Sequence, residues 1–266
     1  MPHLPTATEL EQLFRTKYGD PDSTGWAPRR RFERAYYLPT DVYEATVAKL
    51  VERGCRWIDV GGGHAVFPQN PALANSLIAR CSRVVAVDPS TNVHRNTFAH
   101  ERVQSLIESY SDTNVFDLAT LRMVVEHVTQ PVEVARALRR LVRPGGLVVV
   151  FTVNLWSPIT VVSRVTPFWL HHPVKKLLWD SEEEDTFPVQ YLMNTRRTLR
   201  SLFEQQGFSE LAFAYLDDLT TFGSRRTLNL MELTIFRLLR RVGVRYPENC
   251  LLGIYQNGAA AHVATT

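Results

Sequence analysis

Two apolar runs, each ending in an acid and the first closed by a glycine turn, constrain this chain more than any other feature. The first is Trp57-Ile58-Asp59-Val60, followed by Gly61-Gly62-Gly63-His64-Ala65, and the second is Val84-Val85-Ala86-Val87-Asp88. Together they are the sequence form of two parallel strands with a nucleoside cofactor lying across their carboxyl ends. A turn that needs positive φ or close backbone approach excludes a Cβ, which is what glycine supplies. The N–H groups of the turn and of the helix start then face a carboxylate or phosphate. Asp88, at the second strand end, is placed to accept hydrogen bonds from a ribose diol.

The cofactor class follows from what comes next. A dinucleotide fingerprint, G-x-G-x-x-G, would need glycine or alanine at position 66, where Val66 stands. Downstream, Phe116-Asp117-Leu118-Ala119-Thr120-Leu121 reads as a buried strand, followed by Val124-Val125-Glu126-His127-Val128 and Pro131. A helix over roughly 131–142 aligns Val134, Ala135, Leu138, Leu141 and Val142 on one face. Arg143-Pro144-Gly145-Gly146 stops it and permits a reversal, and Leu147–Thr152 reads as a fifth, fully buried strand.

The order over residues 55–153 resembles the core of class I S-adenosylmethionine-dependent methyltransferases. In that order Asp59-x-Gly61-x-Gly63 leads, the strand-end Asp88 follows, and Phe-Asp-Leu, Glu-His-Val and Pro-Gly-Gly close it. Ala65 stands where a third glycine is common, a mild departure. Thr120–Val128, Asn194-Thr195-Arg196-Arg197 and Tyr246–Gly253 look like a bacterial small-molecule subfamily of that family. The resemblance implies an α/β, Rossmann-like fold: a seven-stranded, mostly parallel sheet flanked by helices, in the order 3-2-1-4-5-7-6, with the last strand antiparallel.

The resemblance also implies site roles. Asp59 and the Gly61, Gly62 and Gly63 backbone hold the methionine end of S-adenosylmethionine. Asp88 binds the ribose hydroxyls, with Pro89 and Ser90 bordering the adenine. The Ser105-Leu106-Ile107-Glu108 stretch falls where such enzymes line the adenine with an apolar residue and contact its amino group, roles given to Ile107 and Glu108. Leu121 and Arg122, just past the fourth strand, lie near the sulfonium. The sulfonium carbon is already electrophilic, so holding an acceptor in line accounts for most of the catalysis. A hydroxyl acceptor also needs a base, and His127 is the best-placed candidate, although the Glu-His pair also serves packing and loop order. Tyr191, His171 and His172 are substitutes.

Composition narrows the partners. The chain has 266 residues, 45% hydrophobic and 21% charged, enough for one α/β domain with decorations. Its net charge of +3 is too small to argue for nucleic acid, and its arginine pairs are scattered rather than interleaved with aromatics. No apolar run approaches a membrane span, and no leader precedes the first helix. Cys55, Cys81 and Cys250 show no metal-ligand spacing and point to a reduced cytoplasm. No metal is expected: adjacent His171 and His172 point different ways and lack a third ligand.

Residues 1–54 read as a helical extension or cap, with helices near 8–18 and 41–53, the latter capped by Thr40 or Asp41, and an irregular Gly19–Pro39 stretch. Residues 55–266 form the cofactor-binding domain, with decorations at 155–193 and 217–248 on the acceptor side. The first carries an aromatic lid (Pro167–Trp179) with Ser157 as a helix cap and an acidic run at Asp180–Asp185. The second carries a helix over 228–242 with Leu228, Met231, Ile235, Leu238, Leu239 and Val242 on one face. Arg237, Arg240 and Arg241 sit near its end. Such a helix packs on its own domain, or lies on a membrane surface or partner. A helix capped by Thr195 and ended by Gly207, then strands at Phe208–Leu216 and Leu251–Gln256, complete the chain.

The leading function is methyl transfer to a small or glycosidic metabolite, by O-methylation, with N- or C-methylation left open. A catalytically silent S-adenosylmethionine-binding partner subunit and a nicotinamide oxidoreductase are the alternatives. A homo-oligomer is compatible with all three.

Overall fold

The computed structural model describes residues 3–113, 115–157, 160, 188–219, 225–243 and 248–258. Seven strands, β1 (Arg56–Val60), β2 (Arg83–Asp88), β3 (Glu101–Gln104), β4 (Phe116–Arg122), β5 (Val142–Val153), β6 (Phe208–Leu216) and β7 (Cys250–Asn257), form one sheet. Its order is β3-β2-β1-β4-β5-β7-β6. β1 pairs in parallel with β2 and β4, while β7 runs antiparallel to both β5 and β6. Order and direction match the expectation.

The strands alternate their apolar side chains between two layers, because successive Cβ atoms point to opposite faces. On one face Ile58, Val85, Leu121, Val150 and Tyr255 pack with α5 (Pro131–Leu141) and α6 (Arg196–Gln205). Phe203 of α6 stacks on Tyr255 with ring centroids 4.2 Å apart. On the other face Trp57, Ala86, Leu118 and Phe151 pack with α3 (Pro39–Leu50) and α4 (Pro71–Ile78), and Tyr43 stacks on Phe151. The inner strands β2, β1, β4, β5 and β7 are covered on both sides, as buried parallel strands require, while the edge strand β3 is exposed.

The N-terminal helices are attached by charge. α1 (Ala7–Tyr18) starts at a Thr6–Glu9 capping box and delivers Lys17 to α3. Lys17 Nζ donates to Asp41 Oδ1 at 2.9 Å and to Glu44 Oε1 at 3.0 Å, with all three side chains buried. The hydroxyl of Tyr18 donates to Asp41 as well, and Asn70 Nδ2 donates to Glu44 at 2.8 Å.

Several local expectations need correction. The Gly19–Pro39 stretch contains a helix, α2 (Trp26–Glu33), hidden in the sequence by its lack of apolar periodicity. α3 begins two residues earlier than the expected start and ends at Leu50. Pro39 fits its first position, and Asp41 accepts the Leu38 N–H instead of capping. β5 begins at Val142, and its register against β4 slips, so Pro144–Gly146 bulges instead of reversing the chain.

The largest correction concerns α7 (Arg226–Arg241). It buries Asn229, Glu232, Leu233 and Phe236. Met231, Ile235, Leu238 and Val242 of the predicted packing face are exposed. The helix selected its buried face by the polar anchors: Asn229 Nδ2 donates to Leu219 C=O and to Glu232, and Phe236 packs on Tyr36. Ser157 Oγ accepts the Thr160 N–H at 3.1 Å, as a capping side chain would. The aromatic lid, His171, His172 and the acidic run lie outside the described residues. Among those described, no helix is long and apolar enough to cross a membrane.

Candidate active site

β1, β2, β4 and β5 all end at one edge, and the predicted residues gather there. Gly61 and Gly62 send their N–H groups back to Val87 C=O, folding the turn over the end of β2. Gly61 has φ +69°, and a Cβ there would lie 2.2 Å from Val124 Cγ2. At Gly62 a Cβ would meet Ala86 Cβ at 2.9 Å and Asp59 C=O at 3.2 Å. Only the Gly63 side of the turn is open, with no atom within 4 Å of a Cβ built there. Asn96, fully buried, donates from Nδ2 to Gly62 C=O at 2.9 Å.

Asp88 is oriented by backbone. Gly63 N–H donates to its Oδ2 at 3.0 Å and Ser90 N–H to its Oδ1 at 2.8 Å. These two bonds leave lone pairs on both oxygens, since a carboxylate offers about four acceptor sites. Pro89 is exposed and Ser90 half-buried beside it.

Asp59 sits deeper, 3% exposed, at the end of a relay. Trp57 Nε1 donates to Thr120 Oγ1 at 2.8 Å, and the Thr120 hydroxyl donates to Asp59 Oδ1 at 2.7 Å. Burial pushes the Asp59 carboxyl up to about 7, with Asp88 adding and Thr120 and Arg122 opposing. The phenol of Tyr43, raised chiefly by its own burial, lies close enough to feel Asp59 and Arg122. Its hydroxyl is buried with no hydrogen-bond partner among the described residues. Tyr43 and Arg122 line one recess together with Thr40, Phe67 and Gln69.

Two predicted side chains point elsewhere. Leu121 is fully buried in the core below the edge, so of its pair only Arg122 reaches the recess. Ile107 likewise packs into the core, and the apolar side chain presented outward is its neighbour Leu106, 54% exposed. Glu108, next to Ile107, is half-buried.

Beyond β4 the Glu-His pair divides its duties. Glu126 is buried and accepts from the Thr152 hydroxyl at 2.8 Å, and Asn194 Nδ2 donates to Thr152 Oγ1 at 2.8 Å. Its own C=O accepts the N–H groups of Gln190 and Tyr191. Glu126 therefore ties the loop after β4 to the segment before α6, and its burial pushes its carboxyl up. His127 is half-buried, with Nδ1 3.3 Å from Pro188 C=O. Met123 and Tyr191, on either side of this junction, hold φ of +53° and +55°, strained for residues with a Cβ.

Thr120, Asn96 and Tyr43 were not singled out by sequence reasoning. Thr120 left a signal, a hydroxyl inside an apolar strand. Asn96 and Tyr43 left none, because their roles depend on partners distant in the chain.

A methyltransferase-domain family model matches residues 30–212, more than half of this chain. The chain belongs to the methyltransferase family. Its domain is of the class I, S-adenosylmethionine-dependent kind, and the nicotinamide alternative falls with that match. Among curated relatives, this methyltransferase is 30% identical over 111 residues to the ubiquinone biosynthesis O-methyltransferase of Xanthomonas oryzae pv. oryzae. That match covers 40% of this chain and 46% of the relative. The Vibrio atlanticus protein of the same name is 27% identical over 112 residues, covering 38% of this chain and 44% of that one. The methyltransferase thus matches just under half the length of these curated relatives. Among solved structures, an S-adenosylmethionine dependent methyltransferase from Mesorhizobium loti has a TM-score of 0.51 at 16% identity. That alignment covers 82% of this chain and 98% of the other, and shows a shared fold.

The residues present fit the cofactor. An open glycine face, an oriented carboxylate at the β2 end and an orphaned buried phenol stand at one edge of the sheet.

Proposed function

We propose that this methyltransferase moves the methyl group onto a hydroxyl oxygen of a small or glycosidic metabolite, by direct in-line transfer. The bound cofactor supplies an electrophilic methyl on a sulfonium. Asp59 and the Gly61–Gly63 backbone hold the amino-acid end, with Arg122 beside it at the β4 end. Asp88 takes the ribose diol, with Pro89 and Ser90 at the adenine border and Glu108 near its amino group. The observation that carries the oxygen assignment is His127. An Nδ1–H donated to Pro188 C=O puts the base lone pair on Nε2, and the imidazole stands half-exposed at the end of β4. The O-methyltransferase names of two relatives support the same reading. Three cysteines with no disulfide among them fit a reducing compartment.

The test is methyl transfer to a panel of phenols, sugars and amines, with the product located by mass spectrometry. Methylation of a hydroxyl is expected, with kcat falling about 10²–10⁴-fold in His127→Gln and S-adenosylmethionine affinity unchanged. Methylation at nitrogen or carbon, or an unaltered His127→Gln rate, overturns the assignment.

A further inference from the structure

β6 runs parallel to β5, so Leu216 ends at the same edge as Val153, both opposite Cys250. The chain leaving β6 is held there by Tyr36, whose hydroxyl donates to Asp217 C=O at 2.9 Å and accepts the Leu219 N–H at 2.8 Å. Tyr36 also packs with Leu219, Leu233 and Phe236 in a small cluster of its own. These contacts set α7 against the segment that follows α2, and Arg226 and Glu232 of α7 stand near enough to Arg30 of α2 to act on its charge.

What they assemble is cationic. Arg30 of α2 is 94% buried, being 6% exposed, and its guanidinium lies 3.7 Å from the centroid of the Trp26 ring. Among the described residues its Nε and Nη1 have no hydrogen-bond partner, nor does the buried Nε of Arg31. Among the charges acting on Arg30 are Arg31, Arg34 and Arg226, all of its own sign, and the carboxylate of Glu232. Glu232 in turn accepts from Asn229 Nδ2. Burial, then the three neighbouring arginines, push the Arg30 guanidinium down to about 10. Buried donors without acceptors are rare in folded proteins, and a buried cation among cations rarer still. Among these charges one carboxylate stands against three guanidinium groups besides Arg30 itself, an excess of positive charge.

We infer that Arg30, with Arg31 and Arg226 beside it, seats an anionic group, a carboxylate or a phosphate, carried by the methyl acceptor. A guanidinium fork matches the two oxygens of either group, and stacking on Trp26 holds its plane in place. The anionic end docks between α2 and α7 while the reacting end enters the crevice. This inference rests on the small-molecule reading above and narrows it to acidic acceptors.

The test separates anion capture from methyl transfer. Wild-type protein, Arg30→Gln and Arg226→Gln are titrated calorimetrically at low ionic strength with benzoate and with inorganic phosphate, S-adenosylhomocysteine being present throughout. Saturable binding of one anion is expected, and which one binds distinguishes carboxylate from phosphate. Arg30→Gln weakens it about tenfold or more, the worth of one charged hydrogen bond. Arg226→Gln, an exposed site whose removal opens no core, weakens it a few-fold if Arg30→Gln fails to fold. In turnover, KM for hydroxybenzoates or sugar phosphates rises in the variants, while KM for the matching benzamides or free sugars and all kcat values hold. Binding of neither anion, or equal binding by wild type and both variants, overturns the inference and leaves Arg30 as a packing cation on Trp26. Failure to bind S-adenosylhomocysteine, or to methylate any acceptor while still binding the anion, counts against the function reading instead.

Discussion

At the residue scale, Asp59 couples cofactor chemistry to stability. Its carboxyl ionises near 4 in an unfolded chain (about 3.9) and at about 7 in the fold. Between those values the native state holds the extra proton, so the Asp59 contribution to stability falls as pH rises from about 4 to about 7. The slope reaches at most about 1.4 kcal/mol per pH unit. Asp217, also raised to about 7 by burial, runs the same way. Asp59→Asn is therefore expected to flatten part of the pH dependence of thermal unfolding in the ligand-free protein. An unchanged profile would mean that Asp59 is ionised throughout. The charged ammonium of the cofactor favours the carboxylate, so affinity for it is expected to rise with pH through the same window. Asp59 as an acid at a strand end was legible in the sequence. Its raised pKa was not, because it follows from burial under α3 and from the Thr120 relay.

At the scale of elements, two helices are held by different forces. α1 is held to α3 by Lys17 against Asp41 and Glu44. Removing one partner of a buried ionic group leaves charge uncompensated, so Lys17→Met is expected to cost about 3–5 kcal/mol in urea unfolding. A loss below about 1 kcal/mol would make the triad incidental. α7 is held by Phe236 and its polar anchors, not by its most hydrophobic stripe. Phe236→Ala is expected to cost about 3–5 kcal/mol and Leu238→Ser within about 0.5 kcal/mol of nothing, measured side by side. The reverse order would put the predicted face back in the core. Sequence periodicity located this helix to within two residues at its start and one at its end. It could not choose the face, because Asn229 and Glu232 become burial-compatible only when Leu219 and each other satisfy them.

For the whole molecule, cofactor binding and folding are linked. A ligand that binds only the native state, present at about a hundred times its Kd, stabilises it by about 2.7 kcal/mol. S-adenosylmethionine is expected to raise Tm by several degrees, and Asp88→Ala to abolish most of that rise at equal ligand concentration. A full shift in Asp88→Ala would remove Asp88 from the proposed ribose contact. The strand order was implied by the resemblance to the methyltransferase core; by itself the sequence determined which runs become strands, where the helices stop and which edge carries the glycine turn and the strand-end acids. Those rest on apolar runs, glycine turns and helix stops, which are local and periodic and are written in consecutive residues. Tertiary structure alone decided that Leu106 and not Ile107 faces outward, that Glu126 braces the loop after β4, and that Arg30 Nε and Nη1 are buried without an acceptor among the described residues. Each of these depends on which distant groups satisfy or leave unsatisfied a buried polar atom, and that pairing exists only once the chain has closed.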